Sequence, residues 1–147
     1  MIRTSLTPSP ANSAPPAPVV SDLIIGDLAG SLHPARYAGL IDTGADRTVV
    51  PLKACQDLSL TPRDWKSPGG FDPKARTRKI PLYYVNVKLE GVAELPLLVY
   101  AIEQDTILLG RDFLTGIVFV SDSPQNELVL GRHGALSKWI LRFVPFR

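Results

Sequence analysis

Leu40-Ile41-Asp42-Thr43-Gly44-Ala45-Asp46-Arg47-Thr48-Val49-Val50 is the stretch around which the rest of the chain is organised. An apolar run ends in the carboxylate of Asp42; a hydroxyl residue, a glycine and a second carboxylate follow before the sequence turns apolar again. Apolar residues on both sides predict strand, turn and strand, with the turn carried inside a folded body. Polar side chains in such a place are either well satisfied or put to use, because an unpartnered buried polar group is costly. Asp, Thr and Gly are also common turn formers, so these three residues carry little weight without their context.

Working outward, Val19-Val20-Ser21-Asp22-Leu23-Ile24-Ile25 reads as a strand, with Gly26 and Gly30 marking bends. Residues 37–41 form a second strand leading into the Asp42 turn. Residues 48–50 form a third, and Pro51 ends it or starts a short helical turn reaching Leu58. Residues 61–78 hold Pro62, Pro68, Gly69, Gly70 and Pro73 among many charges, the composition of an exposed, mobile excursion. Val85, Val87 and Leu89 then alternate with Asn86, Lys88 and Glu90, the pattern of a half-buried strand. Gly91 turns that strand, and residues 95–102 return as a more fully apolar one. Ile107-Leu108-Leu109-Gly110 reads as a short buried strand, with a small helix expected over 111–115. Residues 117–120 and 128–130 predict a hairpin, and residues 139–144 a final strand. Many short strands at close spacing, without a long helical period, predict an all-β barrel or sandwich.

At 147 residues the chain has room for one domain with a real core. Residues 7–18 carry Pro8, Pro10, Pro15, Pro16 and Pro18 and no charge, too little to offset the entropy of ordering. Residues 1–18 are therefore expected to be a disordered Pro-rich leader and residues 19–147 the folded domain. A net charge of +2 is too mild to argue for a nucleic-acid partner. No apolar run approaches the roughly 20 residues of a membrane span, and no signal-peptide block opens the chain, so no membrane partner and a cytoplasmic location are the default expectations. The single cysteine, Cys55, allows no internal disulfide and reads as a small buried apolar side chain. His33 and His133 lack ligand spacing to a cysteine or to each other, so neither a metal nor a cofactor is expected.

The Asp42 stretch resembles the active-site segment of the retropepsin-like (retroviral-type) aspartic proteases. Ile107-Leu108-Leu109-Gly110-Arg111-Asp112-Phe113-Leu114 is similar to that family's second signature, which precedes its helix. Ser67-Pro68-Gly69-Gly70-Phe71 falls between the two, where the family has a glycine-rich flap. Order and spacing match over about residues 19–120, and two linked signatures weigh far more than either alone. The resemblance implies a small closed, barrel-like acid-protease fold with one short helix after Gly110, and aspartic endopeptidase activity on a polypeptide substrate. It implies Asp42 as the catalytic residue, supported by Thr43 and Gly44. It places substrate against Gly44, Ala45, Asp46, Gly69, Gly70 and Phe71, and makes Asp46 and Arg111 an ion pair beside the site. Burial between core strands is expected to favour that pair.

The chemistry adds one deduction. Two carboxylates about 3 Å apart cannot both ionise, so they share one proton: one activates water while the other polarises the carbonyl. The chain has one suitable aspartate, since Asp105-Thr106-Ile107 and Asp122-Ser123-Pro124 both lack the glycine. The second carboxylate must come from Asp42 of another copy, so an active enzyme is expected to be a homodimer with a twofold axis through its site. Activity is expected to fall above neutrality, once both carboxylates ionise. The alternative is a catalytically silent module that keeps the fold for dimerisation or peptide binding.

Overall fold

A computed structural model describes residues 1–6, 17–67, 78–122 and 125–132, together with Gly134. The order of elements is β1 (Ile2–Ser5), β2 (Val19–Gly26), β3 (Tyr37–Ile41), β4 (Val49–Pro51), α1 (Leu52–Asp57), β5 (Asp64–Lys66), β6 (Ile80–Leu89), β7 (Ala93–Ile102), β8 (Ile107–Leu109), α2 (Arg111–Leu114), β9 (Ile117–Asp122) and β10 (Glu127–Arg132).

The expected alternation is clearest in β6, where Val85, Val87 and Leu89 are buried and Tyr84 is exposed. Strands β6 and β7 pair antiparallel from Leu82↔Tyr100 to Leu89↔Ala93. The turn between them depends on Gly91, whose φ of +74° is easy only for a residue without a side chain. Strand β2 does two jobs. Val19 and Val20 pair with β3, the register shifts between Val20 and Leu23 where Asp22 takes φ 63°, and Ile24 to Gly26 pair with β6. That change of partner closes a ring in the order β2-β3-β8-β4-β7-β6, with β5 outside it on β6. The all-β, barrel-like expectation therefore describes the molecule, with α2 directly after Gly110. Leu23, Ile25, Val50, Val85, Val87, Val99, Ile107, Leu109 and Phe113 fill the core and are fully buried.

Two expectations need correction. Residues 1–18 are not a leader throughout: Ile2–Ser5 form β1, which pairs antiparallel with β10 from Ile2↔Leu130 to Ser5↔Glu127. Half-buried Ile2 and Thr4 alternate with exposed Arg3 and Ser5, and Leu6 is 2% exposed in the core. This period-two pattern was obscured by the proline run that follows it. The excursion over 61–78 likewise contains β5, held to β6 by Asp64↔Leu82, Trp65↔Pro81 and Lys66↔Ile80. All three β5 residues are exposed, so no apolar pattern marks the strand in sequence. Strands β9 and β10 form the expected hairpin, with Asn126 at φ 53° in its turn. The strand expected over 139–144 and the rest of the leader, 7–16, lie outside the described residues.

Candidate active site

Strand β3 delivers the Asp42 loop, and β8 supports it. The two run parallel, Ile41 opposite Leu109, and the N–H of Asp42 continues the ladder by donating to the Leu109 carbonyl at 3.0 Å. The chain then turns on its own polar groups. Gly44 N–H donates to Asp42 Oδ1 at 3.0 Å, and Ala45 N–H to the Asp42 carbonyl at 3.3 Å. This is the local bonding that makes Asp a turn former. Asp42 is half-buried, while Thr43, Gly44 and Asp46 are exposed on the single chain. One carboxylate oxygen is thus oriented by a backbone donor at an otherwise open loop.

The loop's far side rests on Gly110 and the first residues of α2. Arg111 N–H donates to the Ala45 carbonyl at 2.9 Å. Thr48, fully buried, sends both its N–H (2.9 Å) and its hydroxyl (2.7 Å) to Asp112 Oδ1. The same hydroxyl accepts the N–H of Gly110 at 3.1 Å, and Asp112 Oδ1 also accepts Phe113 N–H at 2.8 Å. Arg47 Nη1 donates to the Leu98 carbonyl at 2.6 Å, and its guanidinium lies 5.9 Å from the centre of the Tyr100 ring. The sequence alone points to no role for Arg47, Thr48 or Asp112. The usable signal was a hydroxyl residue beside the apolar Val49-Val50 pair, since a buried threonine needs a partner.

No family model and no curated protein matches the chain. Solved structures do. The EIAV protease complexed with the inhibitor HBY-793 is 18% identical over 74% of this chain and 92% of that one, with a TM-score of 0.41. A retropepsin-like aspartic protease from Rickettsia conorii is 18% identical over 76% and 90%, with a TM-score of 0.48. The retroviral protease-like domain of Ddi1 from Leishmania major is 16% identical over 76% and 89%, with a TM-score of 0.43. In structure the chain is similar to retropepsin-like proteins.

Of the retropepsin-type residues expected from sequence, Asp42, Thr43, Gly44, Ala45 and Asp46 share the loop after β3, and Arg111 is brought beside it from α2. Arg111 Nη2 pairs with Asp46 Oδ1, but the side chains are 63% and 81% exposed. The expected burial of this pair is therefore corrected. An exposed pair on the single chain contributes little stability. Gly69, Gly70 and Phe71 lie outside the described residues. Cys55 is fully buried in α1, and burial pushes its thiol up to about 12. His33, read as a loop residue, is 8% exposed, with Nε2 3.0 Å from Asp57 Oδ2. Its Nδ1 accepts the N–H of Ala35 at 3.2 Å and lies 3.0 Å from the Tyr37 hydroxyl. This cluster ties the loop before β3 to the end of α1.

Proposed function

We propose that the chain is an aspartic endopeptidase whose active site is built from Asp42 of two copies. The observation that carries this reading is the Asp42-Thr43-Gly44 loop itself. Its carboxylate is half-buried and oriented by Gly44 N–H, its tip is open, and the sequence holds no second Asp-Thr-Gly. Brought together across a twofold axis, two such loops place like carboxylates side by side, and the pair retains one proton. The ionised member takes a proton from water as the water attacks the peptide carbonyl. The protonated member donates to the carbonyl oxygen as charge develops there.

Thr43, exposed at the tip, links the two loops, and Gly44 lets them and the substrate backbone approach closely. Ala45 already uses its carbonyl on Arg111 and its N–H on Asp42. Substrate main chain is therefore assigned chiefly to Gly44 and Asp46, with Arg111 steadying Asp46. Gly69, Gly70 and Phe71 are assigned to a lid over the bound peptide, on the sequence resemblance alone. Two carboxylates and a water suffice for the reaction, so no cofactor is assigned. The substrate is a polypeptide.

The test is Asp42→Asn, which keeps size and hydrogen bonding but removes the ionisable group. Cleavage of a peptide library should be abolished while the variant keeps the wild-type circular dichroism spectrum and mass in solution. Wild-type cleavage rates in that variant would refute the mechanism. A folded dimer that binds peptides but never cuts them would favour the silent-module alternative.

A further inference from the structure

We infer that Thr48 and Asp112 form a clasp that positions the Asp42 loop, and that both are positioning residues for the reaction. That role rests on the proposed function of Asp42, whereas the clasp itself is geometric. The loop is tied to residues 109–112 by Asp42 N–H on the Leu109 carbonyl, the Ala45 carbonyl on Arg111 N–H, the exposed Asp46–Arg111 pair, and Thr48 on Gly110 and Asp112. The first two contacts are main-chain bonds to residues 109 and 111. They hold the loop only where that segment itself is held.

Asp112 holds it. One oxygen, Oδ1, gathers the N–H and hydroxyl of Thr48 and the N–H of Phe113, so the exit of the loop and the start of α2 share one acceptor. Two of those three donors come from Thr48, which is 64 positions away in sequence. The acceptor therefore does more than bond locally within a four-residue helix. The Thr48 hydroxyl also takes the N–H of Gly110, a buried residue, and so relays between β4 and the segment below the loop. Removing the hydroxyl frees Gly110 N–H and half of the Asp112 contact at once. The loop exit then shifts relative to β8, and with it the carboxylate at position 42. A misplacement near 1 Å at a reacting group costs on the order of 100-fold in rate.

The experiment compares Thr48→Val, which keeps the shape and loses the hydroxyl, with Thr48→Ser, which keeps the hydroxyl. It measures kcat, KM and the amide hydrogen exchange of each folded protein. In Thr48→Val, the N–H groups of Asp42, Gly110 and Arg111 should exchange at least about 10-fold faster while the amides of the β6–β7 hairpin keep their protection. Its kcat should fall at least about 10-fold with KM within about twofold, and Thr48→Ser should recover most of the loss. Asp112→Ala read against Asp112→Asn, which keeps Oδ1 as an acceptor, repeats the comparison from the other partner and serves if Thr48→Val does not fold. Parental exchange and kcat in both Thr48→Val and Asp112→Ala would overturn the clasp. So would equal acceleration across β6 and β7, the mark of general destabilisation. If the wild-type protein shows no Asp42-dependent cleavage, the proposed function fails while the exchange pattern still decides whether the clasp exists.

Discussion

Gly110 lies so close to Thr48 that a Cβ on the glycine would sit 2.7 Å from the Thr48 backbone nitrogen and 2.5 Å from the Arg47 carbonyl carbon. Its φ of −79° is ordinary, so space rather than backbone conformation requires the glycine. Neither neighbour is a flexible side chain that can turn away. Gly110→Ala must therefore force β4 and β8 apart where the Asp42 loop is seated. Overpacking of this kind costs about 3 kcal/mol, which lowers the melting temperature of a domain this size by roughly 6–12 °C. Thermal unfolding followed by circular dichroism measures it, and an unchanged melting temperature would mean that the two backbones are farther apart.

Asp57 connects pH to stability. Hydrogen bonds from Lys53, at 2.8 and 2.9 Å, and from His33 hold its carboxyl below the usual carboxylate range. A carboxylate depressed in the folded state contributes stability above its unfolded value and loses it as pH falls through the folded value. Asp57→Asn should therefore destabilise the protein at pH 7, with the gap from wild type closing as pH falls from about 5 to 2. Urea unfolding across that range reads it. A gap that stays constant with pH would assign the loss to packing instead.

Cys55 should be chemically silent in the folded chain. Its thiol is fully buried and its ionisation is pushed up to about 12, so at pH 8 almost none is thiolate. A thiol reagent should react slowly with native protein and rapidly after denaturation. Prompt reaction of the native protein would show that α1 opens readily.

The strands with an apolar pattern are legible in the sequence, because one buried face imposes a period of two on β6 and burial on both faces an apolar run on β8. The Asp42 loop is legible because that turn is marked by its own residues. The Thr48–Asp112 clasp was hidden. Thr48 reads as a β-branched strand residue and Asp112 as a first-turn acid, and nothing local reports a bond spanning 64 positions. Strand β5 was hidden because an exposed edge strand needs no apolar pattern, and β1 because it is only four residues long and a proline-rich stretch begins at Pro8. His33 reads as a loop residue from its flanks, and nothing local reports its contact with the side chain of Asp57, 24 positions later.

A site that takes one Asp42 from each of two chains makes a prediction that a self-contained site does not. Wild-type protein and Asp42→Asn are mixed in equal amounts at constant total concentration, allowed to exchange subunits, and assayed for peptide cleavage. If one carboxylate from each copy is required, only wild-type pairs are active, and the mixture retains about one quarter of the wild-type rate. It falls toward zero as the variant is added in excess over a fixed amount of wild type. A rate linear in the wild-type fraction, half at equal mixing, would contradict the shared site.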